Sequence, residues 1–157
     1  MFAFGEFTMK TLMTIHFICT GNIYRSRLAE AYCSSKGLPG LQVLSSGIGT
    51  ALNAGLTIAP YAAHVFSKYG LEHFAAPSWQ QTTAVLIHAS DLLVFMEREH
   101  YRFCERWIDP SRHKFEIWDI PDVGRTDPAE IMGKVEKTFE AICRRTDMLL
   151  TALRLQE

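Results

Sequence analysis

Hydrophobic and polar positions along the chain follow two alternating rhythms, which predict strands and helices in turn. Thr14-Ile15-His16-Phe17-Ile18 is a short, mostly apolar run ending at Cys19, the pattern of a buried strand. Leu28-Ala29-Glu30-Ala31-Tyr32 then reads as helix, and Leu41 to Ser46 as a second short strand followed by a Gly-bearing loop from Gly47 to Gly55. A helix is expected over 58–69, with Pro60 in its first turn and Gly70 past its end, and a shorter one over 80–88. The near-continuous apolar run 91–96 predicts a strand buried on both faces. Residues 97–105 predict a helix and 113–117 a last strand. The final helix has the clearest pattern. Thr126 or Asp127 can cap it, Pro128 fits its first turn, and Ile131, Val135, Phe139, Ile142, Leu149 and Leu153 recur on one face.

Strands alternating with helices imply an α/β fold, a parallel sheet covered by helices on both faces. Ligands of such sheets bind beyond the carboxyl ends of the strands, and Cys19 stands at such an end. The length of 157 residues suits one domain, expected over 13–157. Residues 1–12 show neither rhythm, and Met9 and Met13 offer alternative starts, so 1–12 is expected to be an extension outside the fold.

Composition narrows the function classes. A net charge of −1 with 21% charged residues gives no basic excess for nucleic acid or an acidic membrane, and no apolar run reaches the length of a membrane span. Cysteines 19, 33, 104 and 143 form no Cys-x-x-Cys, which predicts free thiols and a cytoplasmic setting. His64, His88 and His100 share no ligand spacing, so no metal site is expected from them.

The candidate chemistry lies in Cys19-Thr20-Gly21-Asn22-Ile23-Tyr24-Arg25-Ser26. Gly21 and Asn22 tolerate the left-handed region, which lets the loop turn its N–H groups inward as an anion nest, and the following helix adds its positive end. Arg25 supplies a planar fork for two phosphate oxygens. Inward N–H groups, a helix N-terminus, an arginine and the Ser26 hydroxyl are surroundings that favour a thiolate at Cys19. A thiolate among phosphate-binding donors points to nucleophilic attack on phosphorus. The bare Cys-to-Arg spacing carries little weight; the strand before it, the Gly-Asn inside it and the helix after it carry the inference.

An ester oxygen needs a proton as it leaves. The segment Trp118-Asp119-Ile120-Pro121-Asp122-Val123-Gly124-Arg125 follows the last strand and so emerges on the same side as the Cys19 loop. Pro121 stiffens it and Gly124 lets it turn, which nominates Asp122 as the acid. A nearby phosphate dianion or thiolate would keep the proton on that carboxyl. Asp119 and Asp127 are rivals, Asp127 being better explained as a helix cap.

These residues resemble the low-molecular-weight protein tyrosine phosphatases. The match runs from about Ile15 to the last helix and includes Phe17 to Ile23 with Arg25-Ser26, Ala29-Glu30-Ala31, Ser45-Ser46-Gly47, Ser90 to Met96, and Ile120-Pro121-Asp122. The resemblance implies a three-layer sandwich with a four-stranded parallel sheet, no metal or cofactor, and a phosphotyrosine-bearing protein as substrate. It implies catalytic roles for Cys19, Arg25 and Asp122, with Thr20, Gly21, Asn22, Ile23, Tyr24 and Ser26 shaping the loop and binding phosphate. A monomer is expected.

Three departures stand out. Tyr24 occupies the place of a second Cys that traps an oxidised nucleophile in the family, which implies irreversible inactivation of Cys19 by peroxide. Arg27 replaces a common Pro and is expected either to charge the pocket rim or to be solvated. Val123-Gly124-Arg125 replaces the aromatic residues that flank a phosphotyrosine ring, a role open to Trp118 or Tyr24. Ile23, where arginine-phosphatase-like members carry a small polar residue, favours phosphotyrosine over phosphoarginine. The alternatives are an arsenate reductase-like oxidoreductase, which needs further cysteines on a mobile segment, and a low-activity oxyanion-binding regulatory module.

Overall fold

The structure is a computed structural model that describes residues 12–154; apart from Leu12, the expected extension over 1–12 falls outside the described residues. Strand β1 (Met13–Cys19) is buried from Thr14 onward because it runs through the middle of the sheet. It pairs in parallel with β2 (Leu41–Gly47) on one side and β3 (Leu92–Phe95) on the other, and β4 (Lys114–Ile117) pairs in parallel with β3. The order is β2-β1-β3-β4. The chain therefore reverses direction across the sheet between β1 and β3, which opens a crevice at their carboxyl ends.

The period of two along β1 sorts its side chains between two layers. Ile15, Phe17 and Cys19 join the larger apolar cluster with α1 (Arg25–Ser35), α2 (Pro60–Tyr69) and α5 (Pro128–Arg154). Ile18 joins Leu93 and Phe95 in a smaller cluster with α3 (Ala84–His88) and α4 (Arg98–Cys104). Cys19 thus faces the layer whose first helix begins at Arg25. The expected stripe of α5 is present, with Val135, Phe139, Ile142 and Leu149 buried and Ile131 and Leu153 packed at its margins. Each fully buried side chain of this kind contributes about 1.5–3 kcal/mol. Asp127 supplies the cap, its Oδ1 accepting the Ala129 N–H at 3.0 Å.

The expected helix over 80–88 is confined to Ala84–His88. Gln80 to Thr82 instead pair with the end of β2: the Gly47 N–H donates to the Gln80 carbonyl at 3.0 Å, and the Thr82 N–H to the Gly47 carbonyl at 2.8 Å. A tertiary backbone pairing here outweighs local helical preference. The Cys19 loop crosses directly over Gly47. A Cβ there would lie 2.5 Å from the Thr20 carbonyl oxygen and 2.7 Å from the Asn22 nitrogen, so only glycine fits.

Candidate active site

Five consecutive carbonyls, from Cys19 to Ile23, are each held by a donor outside the loop. Ile48 N–H binds the Cys19 oxygen (3.1 Å), Gly49 N–H that of Thr20 (2.8 Å), and Ala59 N–H that of Ile23 (2.8 Å). Asn53 Nδ2 binds the Gly21 oxygen at 2.8 Å, and Arg27 Nη1 the Asn22 oxygen at 3.3 Å. A planar trans peptide points its carbonyl and its N–H in opposite directions, so drawing the oxygens outward turns the N–H groups inward. Asn22 sits at φ 58°, as expected for its place in the loop, and its N–H donates to Cys19 Sγ at 3.3 Å.

The Asn22 side chain locks this turn. Its Nδ2 donates to Ser26 Oγ (2.7 Å) and Ser45 Oγ (2.8 Å), while its Oδ1 accepts the Gln80 N–H (2.9 Å). Ser26 Oγ, accepting from Asn22, has its own hydrogen free for Cys19 Sγ at 2.9 Å. Ser45 in turn donates to Glu30 Oε1 at 3.0 Å, and burial raises the Glu30 carboxyl above its ordinary range.

Arg25 is 2% exposed, and the Nη1 limb of its fork is engaged by the protein itself. Nη1 donates to Glu97 Oε1 at 2.5 Å and to the Ile120 carbonyl at 2.7 Å. Nη2 donates to Thr20 Oγ1 at 3.4 Å and lies 3.8 Å from Asp122 Oδ2. His100 completes the group. Its Nδ1 accepts the Glu97 N–H at 2.9 Å, which places the ring hydrogen on Nε2, the donor to Thr20 Oγ1 at 2.9 Å. Burial, with Arg25 nearby, lowers the His100 pKa to about 3 and keeps the ring neutral. Glu97, Glu99 and His100 bring ligand-type atoms within 4.8 Å of one another, yet both ring nitrogens are occupied, so the cluster serves as a helix cap and arginine support. Sequence reasoning missed Glu97 and His100. Their signal is a Glu and a His three apart at the start of a helix, directly after a fully buried strand.

Above the sulfur opens a pocket of about 170 Å³, whose lining includes Cys19, Ile23, Tyr24, Leu52, Tyr61 and Asp122. Tyr24 and Tyr61 meet edge to face, their centroids 4.9 Å apart, and burial raises the Tyr24 pKa to about 12. Trp118, one candidate for a ring-flanking role, is instead packed against Phe17 in the core, its ring centroid 5.6 Å away. Tyr61, absent from the sequence reading, takes the place beside Tyr24.

The candidate acid is held differently. The Ile120 N–H binds the Met96 carbonyl at 2.8 Å and so roots the segment just past the end of β3. Beyond that point Asp122 projects with its side chain 51% exposed, and its Oδ1 accepts the Val123 N–H at 2.9 Å. Gly124 at φ 59° makes the expected turn, and Lys134 Nζ holds the Val123 carbonyl at 2.8 Å. The rival Asp119 is exposed, with φ 56°, and does not line the pocket. Arg27 is neither at the rim nor solvated: it is 2% exposed beneath the loop.

A sulfur that receives hydrogen bonds, buried in an anion-shaped loop at the carboxyl end of a parallel sheet, defines a cysteine-based phosphatase architecture. The chain belongs to the low molecular weight phosphotyrosine protein phosphatase family, whose family model matches residues 14–156. It is 38% identical over 133 residues to a Ralstonia solanacearum protein named "Probable low molecular weight protein-tyrosine-phosphatase EpsP", covering 83% of each chain. Among solved structures, the tyrosine phosphatase Wzb from Escherichia coli K30, in complex with sulphate, is 27% identical with a TM-score of 0.69, over 88% of this chain and 99% of that one. The Drosophila arginine phosphatase DARP shares the fold, with a TM-score of 0.77 at 19% identity, over 90% of this chain and 98% of that one. The protein is a protein-tyrosine-phosphatase, a phosphoric monoester hydrolase acting on a phosphoprotein. No helix among the described residues is long and apolar enough to cross a membrane.

Proposed function

We propose that Cys19 is the nucleophile, Arg25 the phosphate fork and Asp122 the acid and base of phosphotyrosine hydrolysis. The observation that carries this reading is the pair of donors aimed at one sulfur, the Asn22 N–H at 3.3 Å and the Ser26 hydroxyl at 2.9 Å. Both stabilise the thiolate that must attack.

In the first step the Cys19 thiolate forms a bond to phosphorus as the bond to the tyrosine oxygen breaks, and Asp122 gives that oxygen its proton. In the second, Asp122 takes a proton from water as the water oxygen attacks phosphorus, and the thiolate leaves, releasing inorganic phosphate. The inward N–H groups and Arg25 hold the nonbridging oxygens through both steps. Thr20 and Gly21 line the base of the pocket, Asn22 and Ser26 hold the turn, and Ile23, Tyr24 and Tyr61 form apolar walls for a ring. Residues 13–157 act as one phosphatase domain, a cytoplasmic monomer.

Hydrolysis of an aryl phosphate by the purified chain, beside Cys19→Ser, tests this reading. Turnover insensitive to chelators and abolished in the variant is expected. Undiminished turnover by Cys19→Ser would overturn the assignment.

A further inference from the structure

Arg27 differs from every other donor that holds the loop carbonyls. Three of them are backbone N–H groups and one is the neutral amide of Asn53. Arg27 alone brings a guanidinium, and it spans three segments. Nη1 donates to the Asn22 carbonyl at 3.3 Å and to that of Thr57 at 3.0 Å, while Nη2 donates to that of Ala76 at 2.5 Å. Nε lies 3.8 Å from Glu30 Oε1, itself tied through Ser45 to the Asn22 amide. A buried cation costs several kcal/mol unless it is well paired. Here its pairing includes the backbone of the residue whose N–H contacts the Cys19 sulfur.

We infer that Arg27 is a positioning residue for the phosphate cradle: by gripping the Asn22 carbonyl it aims the Ile23 N–H at a phosphate oxygen. The peptide from Asn22 to Ile23 is planar and trans, so the direction of its oxygen sets the direction of its hydrogen. Thr57 and Ala76 are the anchors that keep the guanidinium in place. A lysine keeps the charge but has no planar fork to span three carbonyls. The Glu30 carboxylate offsets the Arg27 charge nearby, so geometry rather than net charge is what Arg27 contributes.

The inference rests on the phosphatase reading above and is tested on the full chain with Arg27→Met and Arg27→Lys. Rates are taken per titrated active site, so that loss of folded protein does not count. For Arg27→Met, kcat/KM on an aryl phosphate is expected to fall about a hundredfold, with kcat falling more than KM rises, because the cradle donors act most strongly on transition-state charge. The Kd for inorganic phosphate should rise about tenfold, and Arg27→Lys should remain at least tenfold below the parent chain. Parent-like kcat/KM in either variant overturns the inference. So does a lower melting temperature with parent-like kcat and phosphate affinity, which marks a purely structural role.

A measurement on the unaltered chain applies even where the variants fold poorly. In a 15N NMR titration with inorganic phosphate, the Ile23 amide should shift to saturation; an Ile23 amide that does not respond overturns the inference. An inactive parent chain would sink the phosphatase reading, whereas an active parent with indifferent Arg27 variants would sink this inference alone.

Discussion

The Cys19 loop and the Asp122 loop leave neighbouring strand ends and face the same pocket, yet they are built on opposite principles. In the first, Asn22, Arg25, Ser26 and Arg27 are buried, and five successive carbonyls have fixed partners. In the second, Asp122 is half exposed and touches Arg25 only at 3.8 Å, beyond hydrogen-bonding distance. The difference suits the roles proposed above for the two residues. An attacking sulfur and the donors around phosphorus must hold one geometry through both steps. In the proposed mechanism the acid must meet a leaving oxygen first and, as a base, a water afterwards, and a loop rooted on Met96 and Lys134 leaves Asp122 room to do both.

The comparison can be sharpened by changing one side at a time. The largest effect is expected from Asp122→Asn, which removes the proton but leaves the cradle intact. The first step should slow by about 10²–10³-fold for aryl phosphates with poor leaving groups and little for good ones, read by stopped-flow release of the phenol. Equal slowing across leaving groups would break the assignment of the acid. Gly47→Ala strikes the rigid side instead. Its Cβ meets backbone at 2.5 Å, so the loop must shift, at a cost of about 1–3 kcal/mol and roughly tenfold in kcat/KM. A denaturation midpoint and turnover equal to those of the parent would show the cradle to be pliable.

The last comparison concerns stability against pH rather than turnover. His16 is buried in β1 between Ser90 Oγ (3.0 Å) and Ser46 Oγ (2.6 Å), and burial lowers its pKa to about 3, as it does for His100. An unfolded histidine takes up its proton near 6.5 and these folded ones resist until about 3, so their contribution to stability is full above pH 6.5 and is lost as pH falls toward 3. Each ring contributes a slope of up to about 1.4 kcal/mol per pH unit in that window. Urea midpoints at pH 7.5 and 5.5 should therefore differ, and identical midpoints would mean that both rings charge within the fold.

Contiguous features were legible in the sequence. Cys19 to Ser26 could be read as an anion loop because a strand end, Gly21, Asn22 and a helix start act locally, and the buried run before Met96 and the stripe of α5 follow from periodicity alone. Asp122 could be placed because parallel strands put their carboxyl ends on one edge. The supporting residues depend on which distant segments meet. Asn53, Ile48, Gly49 and Ala59 look like ordinary loop residues until the segment after β2 folds over the cradle. Arg27 reads from the sequence as a rim charge or a solvated residue because a charged residue in a first helical turn normally reaches water, and the Asn22, Thr57 and Ala76 carbonyls that compensate its burial come from distant or turned backbone. Trp118 follows a strand with mostly exposed residues, which hides that its ring turns inward onto Phe17.

The outward-held carbonyls carry a consequence for how the enzyme comes into being. Their backbone partners at Ile48, Gly49 and Ala59 lie well beyond the loop in sequence, so the bonds within the eight-residue loop are completed only from outside it. Contacts between segments far apart in sequence require loop closure before they stabilise anything, and they form late. During refolding, helical signal should return before turnover does, and the catalyst is complete only when the stretch from Ile48 to Ala59 has docked.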